Sequence, residues 1–104
     1  MYEELDYVGV SRDPDDYEGR LVKFSGKVLQ VIEDETIVSF RIATKGNYDN
    51  VVFVSMVIPK EYSRILEDDK VEVQGSYAGL LSYETVRGDT VTIPNIYASL
   101  ITLK

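Results

Sequence analysis

Two runs of three acidic residues are the first places where this sequence could support chemistry. They occupy residues 33–35 and 67–69. Carboxylate pairs act as acid and base in glycoside hydrolysis, and alternating oxygen ligands bind calcium in EF-hand loops. Neither run has the alternating spacing of a calcium loop, and consecutive acidic residues are typical of solvated turns. The sequence therefore predicts no metal site at either run.

The absence of two residue types removes most other catalytic chemistry. The 104 residues include no cysteine and no histidine. Thiolate nucleophiles, disulfides, zinc sites built from these residues and imidazole acid–base catalysis are therefore excluded. A hydrolase would need a carboxylate pair or a serine–lysine pairing. We predict a protein that is not an enzyme and uses no cofactor.

Basic and aromatic residues on predicted strands offer another chemistry, the binding of single-stranded nucleic acid. Such binding combines cations for the phosphates with aromatic rings for the bases. The candidate ligand face consists of Lys23, Lys27, Arg41, Phe53, Tyr83 and Arg87, the last two in a long loop that could close over a ligand. The alternative interpretation is a solvated outer face with Phe53 buried under a neighbouring segment.

The charge distribution bears on the choice of partner. The net charge is −7, yet residues 1–19 hold seven acids and one arginine, and the remainder holds eleven acids and ten bases. The body of the domain is therefore nearly neutral. Because the three bases on the strands, Lys23, Lys27 and Arg41, make a thin electrostatic surface, and the acidic run at residues 33–35 would repel phosphates, nucleic acid is disfavoured. We favour a protein or another macromolecule as partner.

Tyrosine is the most abundant aromatic residue, with eight copies and no tryptophan. Four tyrosines could form a recognition surface for protein, peptide or glycan: Tyr48, Tyr77, Tyr83 and Tyr97. Tyrosines in such positions more often cover the ends of a barrel with their hydroxyls in water.

Alternation of apolar and polar residues predicts the strands that position these side chains. From residue 20 to residue 32, Val22, Phe24 and Val28 share one parity, which is typical of a half-buried strand. Gly26 in its middle indicates a bend or bulge, as a strand shared by both halves of a small barrel needs. The apolar pattern then changes parity, which is consistent with a bulge.

Four further strands and a short helix follow. The second strand turns Val38, Phe40 and Ile42 inward, and the third spans residues 51–57. Helical spacing after the third strand predicts about two helical turns, carried by Ile58, Tyr62, Ile65 and Leu66.

The last two strands are predicted around a second bend and a long hairpin. The fourth strand contains Val71, Val73 and Tyr77, with Gly75 as the bend, and residues 80–89 form the hairpin-like extension. The final strand is apolar at both parities, so we expect the N-terminal segment or a partner to cover its second side.

This order of elements predicts the fold class, mostly β. We expect a small five-stranded Greek-key barrel of the OB type, with a short helix between strands three and four and a short N-terminal helical segment. An SH3-like barrel and a small sandwich remain compatible with the pattern. The predicted boundaries are an acidic helical lead-in at residues 1–19 and the barrel at residues 20–104. No apolar run approaches the roughly 20 residues of a membrane span, and no signal peptide follows Met1.

The chain also resembles a known family over nearly its whole length. The segments that carry the resemblance are YEGRLVKFSGKV at residues 17–28, RILEDDKV at residues 64–71 and IPNIYA at residues 93–98. They are similar to the tRNA-anti-like OB-fold lipoprotein family of uncharacterised bacterial proteins. The resemblance implies an OB fold in a secreted or membrane-anchored bacterial protein. It implies no catalytic residue.

These observations together predict a non-catalytic binding or assembly module of a bacterial, envelope-associated protein. Its partner is expected to be a protein or another macromolecule. The alternative is single-stranded nucleic-acid binding through the outer face of the first three predicted strands.

Overall fold

A computed structural model describes all residues from 1 to 104. Six strands and two short helices make up the chain. Their bounds are β1 Glu3–Glu4, α1 Tyr7–Arg12, α2 Pro14–Tyr17, β2 Leu21–Glu33, β3 Ile37–Thr44, β4 Val51–Val57, β5 Lys70–Glu84 and β6 Thr90–Leu103.

Five of the strands close into a barrel with the predicted OB-type order. The sheet runs β1-β2-β3-β4-β6-β5, and β2 pairs again with β5 to close the barrel, which leaves β1 outside. The pairing of β4 with β6 is parallel, and the other pairings within the barrel are antiparallel. The predicted fold class is confirmed, because closure gives each of the five strands two neighbours.

Strand β2 belongs to both halves of the barrel, as its central glycine predicts. It pairs with β5 from Leu21 to Lys27 and with β3 from Gly26 to Glu33. A Cβ on Gly26 would lie 2.5 Å from Ile42 Cγ2 and 2.6 Å from the Ala43 carbonyl oxygen, so only glycine fits this crossing. The register then shifts between Val28 and Gln30, which is the predicted bulge.

The predicted inward residues form one core. Val22, Phe24 and Val28 are buried, while Lys23 is exposed. Strands β3, β4 and β5 keep the same alternation, and the core also includes Val38, Phe40, Ile42, Val52, Val54, Val71, Val73, Tyr77 and Ile96. The predicted parities of β2, β3 and β5 are therefore confirmed.

The helix predicted between the third and fourth barrel strands is absent. Residues 58–69 form an irregular connection in which Ile65 is buried and Leu66 is exposed. The N–H groups that a helix would pair with carbonyls four residues earlier have other partners here, because Ile65 N–H donates to the Tyr62 hydroxyl and Leu66 N–H donates to the Asp69 carboxylate. The prediction failed because tertiary pairing overrides a helical spacing of apolar residues.

The predicted cover on the final strand is also only partial. A register irregularity between Gln74 and Gly75 places Leu100 opposite Gln74 and Ala98 opposite Gly75. Ile101 therefore turns toward the core, while Tyr97, Leu100 and Leu103 remain about half exposed. The N-terminal segment covers little of this surface, so of the two predicted covers the N-terminal one is wrong, and cover by a partner stays a prediction.

The acidic N-terminal segment packs against the barrel instead of projecting from it. The N–H of Leu5 donates to the Lys23 carbonyl, and Leu5 and Val10 are buried in the common core. Asp6 caps α1 by accepting from Gly9 N–H, and Pro14 occupies the first turn of α2. Neither helix has the length or hydrophobicity to cross a membrane.

Candidate functional site

A row of outward-facing residues crosses four strands of the barrel. The β-ladder register places Gln30 of β2 beside Arg41 of β3, Arg41 beside Phe53 of β4, and Phe53 beside Asn95 of β6. Neighbouring strands lie about 4.8 Å apart, so the row spans about 14 Å of sheet surface. It lies on the outer face of the second and third barrel strands, where OB folds bind their ligands.

The long β5–β6 hairpin forms a wall beside this row. Its residues pair as far as Glu84 with Thr90, and a turn at residues 85–89 closes it. The space between the hairpin and the sheet is a groove of about 540 Å³, within the range of ligand pockets. The residues that line this groove are Gln30, Ile32, Arg41, Phe53, Leu81, Ser82, Tyr83, Glu84, Thr85 and Val86.

Arg41 is the central polar group of the groove. Its guanidinium carbon lies 5.9 Å from the centroid of the Tyr83 ring, at the limit of a cation–π contact. One Nη atom makes a long contact of 3.5 Å with Gln30 Oε1. Its Nε atom is buried without a hydrogen-bond partner, as is Oδ1 of Asn95 in the same row. Buried polar atoms without partners are costly, and these two belong to the residues on either side of Phe53 in the row.

The groove has little net charge. Arg41 is its one cation, and Glu84 is its one acid. Aromatic and aliphatic carbon dominates the remaining surface through Phe53, Tyr83 and Leu81. The site therefore favours a ligand with apolar groups and few charges, held by a small number of directed hydrogen bonds.

The structure brings together three of the six residues of the predicted ligand face. Arg41, Phe53 and Tyr83 all line the groove, and Phe53 is half-buried there. The prediction that Tyr83 lies in a loop is wrong, because Tyr83 belongs to β5 and pairs with Val91 of β6, so its ring lines the groove from a strand.

The other three predicted residues lie elsewhere. Lys23 is on the part of β2 that pairs with β1 and β5, and Arg87 is exposed in the turn at the hairpin tip. Lys27 donates to the Tyr48 hydroxyl at 3.1 Å and pairs with Asp68 at 3.5 Å. Lys23, Lys27 and Arg41 all point outward, as their parity predicts, but they do not lie together. The bend at Gly26 and the bulge after Val28 separate the two ends of β2.

Several residues of the groove, and Asn95 of the row beside it, were missing from the sequence prediction. Gln30 reaches the Arg41 row only because the bulge moves it by one position. Leu81 and Val86 belong to the hairpin wall, whose fold over the sheet is a long-range contact. Asn95 follows Pro94 in a strand whose parallel partner could not be assigned from local pattern. The parity slip after Val28 was the one available signal, and it pointed to Gln30.

The four tyrosines singled out from the sequence do not share a surface. Tyr77 is buried in the core with its hydroxyl donating to the Val10 carbonyl, and burial raises its pKa above the usual range. Tyr48 and Tyr97 are exposed at different places, and Tyr83 lines the groove. A common aromatic recognition surface is therefore excluded.

The acidic runs lie in exposed turns, as predicted. Asp34 accepts from the N–H of Glu35, and Asp69 accepts from the N–H of Leu66, so both carboxylates stabilise their own turns. Glu33 pairs with Arg64 at 3.3 Å across the surface. No cluster of three acidic side chains is arranged to hold a metal ion.

The closed barrel, its strand order and the groove on its second and third strands define a protein domain of the OB class. Solved structures agree with this class. A replication protein A heterotrimer bound to single-stranded DNA is similar over 83% of this chain, with a TM-score of 0.56 and 17% identity. A protein assigned as an aspartyl-tRNA synthetase from Leishmania major Friedlin is similar over 99% of this chain, with a TM-score of 0.69 and 10% identity.

These similarities concern the fold. The matched region covers 57% of the replication protein chain and 21% of the synthetase chain. No family model matches the sequence, and no curated protein does. The OB fold implied by the lipoprotein-family resemblance is thus confirmed, whereas bacterial origin and membrane anchoring remain predictions.

Proposed function

We propose that this domain is a non-catalytic binding module whose ligand occupies the groove and extends along the row to Asn95, which lies beside Phe53 but outside the groove lining. The observation that carries the proposal is the row of Arg41, Phe53 and Asn95, in which two buried polar atoms flank an aromatic ring without partners of their own. A ligand that supplies one acceptor to Arg41 and one donor to Asn95 would satisfy both atoms. The ring between them would pack against the ligand's apolar part.

An extended segment of protein is the ligand that fits this chemistry best. Its backbone offers a carbonyl acceptor and an N–H donor at regular intervals, which matches the polar atoms of Arg41 and Asn95. Its side chains can pack on Phe53 and Tyr83 without placing many charges in a groove that contains one base and one acid.

Non-catalytic action is part of the proposal. The chain has no histidine or cysteine, and the acidic runs are occupied in capping turns and pairing with Arg64 and Lys27. These features support a module that binds and does not transform its ligand.

A selection of random twelve-residue peptides on the immobilised domain tests the groove. We expect enriched peptides to bind at least tenfold more weakly to Phe53→Ala and to Arg41→Gln, since each change removes a contact at the centre of the site. Affinity is measured by fluorescence polarisation of labelled peptides.

Tyr48→Ala provides the matched control for the peptide experiment. Tyr48 is an exposed aromatic residue in the loop between β3 and β4 that does not line the groove, so its removal should change affinity less than twofold. Failure to enrich any peptide, or equal weakening by the control, would contradict the proposal.

Single-stranded nucleic acid is the second candidate. The position of the groove on the second and third barrel strands favours it, and so does the structural similarity to a replication protein bound to single-stranded DNA. The charges of the groove oppose it, because the groove contains one base, Arg41, and one acid, Glu84, and the acidic turn at residues 33–35 lies at the end of β2.

We expect the domain to bind single-stranded oligonucleotides weakly, with a Kd on the order of 10⁻⁴ M or poorer at physiological salt. Stacking on Phe53 would contribute about 1–3 kcal/mol per base, without enough cations to anchor the phosphates. Fluorescence anisotropy measures the affinity. Micromolar binding that disappears in Arg41→Glu and Phe53→Ala would replace the protein-binding proposal with the nucleic-acid one.

Attachment to a bacterial cell envelope is proposed from the family resemblance alone. The sequence encoded upstream of this domain is the direct check. A lipoprotein signal there would support the proposal, and a continuous cytosolic domain in its place would contradict it.

A further inference from the structure

Four of the six lysines meet at one end of the barrel, in a protein whose net charge is −7. They line a hollow of about 470 Å³ where β2 leaves β5 and joins β3. No acidic residue lines it. The residues of this lysine hollow are Ser25, Gly26, Lys27, Lys45, Gly46, Lys70, Val71 and Lys104.

Backbone pairing holds the four lysines together. Lys27 stands directly opposite Lys70 in the antiparallel register of β2 and β5. The N–H of Lys104 donates to the Lys70 carbonyl at 2.9 Å, and the N–H of Lys45 donates to the Ser25 carbonyl at 2.7 Å. The convergence is therefore built into the barrel and does not depend on flexible side chains meeting by chance.

Nearby acids neutralise only half of this charge. Lys27 pairs with Asp68 at 3.5 Å, and Lys104 pairs with Glu72 at 3.9 Å. Lys45 and Lys70 take part in no ion pair. Like charges placed opposite each other on neighbouring strands are destabilising, so the pair Lys27 and Lys70 gains from a bound anion.

The hollow is separate from the groove. The two share no lining residue. Arg41 of the groove and Lys45 of the hollow are four positions apart along the chain, which corresponds to about 13 Å at the rise of a strand. A ligand of the hollow is therefore not the ligand proposed for the groove.

We propose that the lysine hollow binds a small oxyanion of high charge, a chain of two or three phosphate groups. Four ammonium groups supply donors for several phosphate oxygens, and Ser25 adds a hydroxyl. The volume accommodates such a chain and little more than one nucleotide. A lysine cluster acts as a set of point charges, which suits the rotating oxygens of a polyphosphate better than a planar carboxylate.

Isothermal titration calorimetry with sodium tripolyphosphate tests the site directly. We expect saturable binding with a stoichiometry of one at low ionic strength, weakening as salt is added, because the contacts are charge–charge. An absence of saturable heat at low salt would overturn the proposal.

Two double variants that remove the same charge distinguish specific binding in the lysine hollow from nonspecific attraction of the anion to the protein. Lys45→Gln with Lys70→Gln removes the two unpaired ammonium groups of the hollow, and we expect it to weaken tripolyphosphate binding at least tenfold. Arg12→Gln with Lys60→Gln removes the same charge from exposed positions outside the hollow, and should weaken binding less than twofold. Equal weakening by both would overturn the proposal.

Thermal melts of the same proteins show whether the variants are folded. Tripolyphosphate should raise the melting temperature of the parent and of the Arg12/Lys60 variant, and should leave that of the Lys45/Lys70 variant unchanged. A rise of equal size in all three proteins would overturn the assignment.

A parallel titration with ATP distinguishes the sources of the phosphate chain. Equal affinity for ATP and tripolyphosphate means that a free polyphosphate is sufficient. Tighter binding of ATP means that a nucleotide is the ligand, with its base against the exposed Tyr48 ring beside Lys27. Either result agrees with the oxyanion site.

Discussion

Replacing Phe24 with alanine should lower the free energy of unfolding by about 3–5 kcal/mol, the range for aromatic residues truncated in cores. Phe24 is 3% exposed and belongs to the main core cluster. It lies on the part of β2 that pairs with β5, opposite Val73. Truncation removes its apolar contacts and leaves a cavity between strands that the backbone pairing prevents from closing. Urea denaturation followed by circular dichroism measures the effect.

Leu21→Ala is the control for Phe24→Ala. Leu21 begins the same strand but is 41% exposed, so its truncation should cost less than about 1 kcal/mol. If Phe24→Ala also costs less than about 1 kcal/mol, the alternation of β2 is inverted, because a shift of one residue would carry the ring to the outer face.

Replacing Gly26 with valine should destabilise the domain by about 3 kcal/mol, although valine favours strands. The new Cβ would lie 2.5 Å from Ile42 Cγ2 and 2.6 Å from the Ala43 carbonyl oxygen. The side chain of Ile42 is buried and the carbonyl belongs to the β3 backbone, so neither can move away cheaply. The cost therefore comes from separating β2 from β3 where β2 crosses between the two halves of the barrel.

Ser25→Val is the matched control for Gly26→Val. It introduces the same residue one position earlier, where the side chain points outward and is only half-buried. We expect its melting temperature to stay within a few degrees of the parent, whereas Gly26→Val should melt far below it. A Gly26→Val protein that melts at or above the parent temperature would show that the crossing tolerates a side chain.

The alternation of β2, β3 and β5 was predictable because it is local. Successive side chains on a strand point to opposite faces of the sheet. The alternation of apolar and polar residues therefore predicts that Phe24, Phe40 and Val73 face the core, and all three are buried. The bends at Gly26 and Gly75 were predictable for a related reason. Each lies in a run of strand-forming residues, where glycine is otherwise unfavourable, and each proves to be a point of close backbone approach.

The positions of the outward-facing polar and aromatic side chains relative to one another depend on long-range contacts. Lys27 and Arg41 share an outward direction, yet the bend and the bulge in β2 send Lys27 to the lysine hollow and bring Gln30 to Arg41. The position of Tyr83 depends on a hairpin folding beside the sheet.

The absence of the predicted helix between β4 and β5 has the same explanation. Helical spacing was predicted for Ile58, Tyr62, Ile65 and Leu66, but the N–H groups of Ile65 and Leu66 donate to side chains and not to helix carbonyls. The ends of this connection are bonded to distant parts of the chain, through Ile58 N–H to the turn at Thr36 and through Asp68 N–H to Val28 of β2. Pairing between residues far apart in the chain depends on how the barrel closes, and local periodicity contains no information about closure. Local alternation therefore predicted which residues face inward, whereas barrel closure set which outward residues became neighbours.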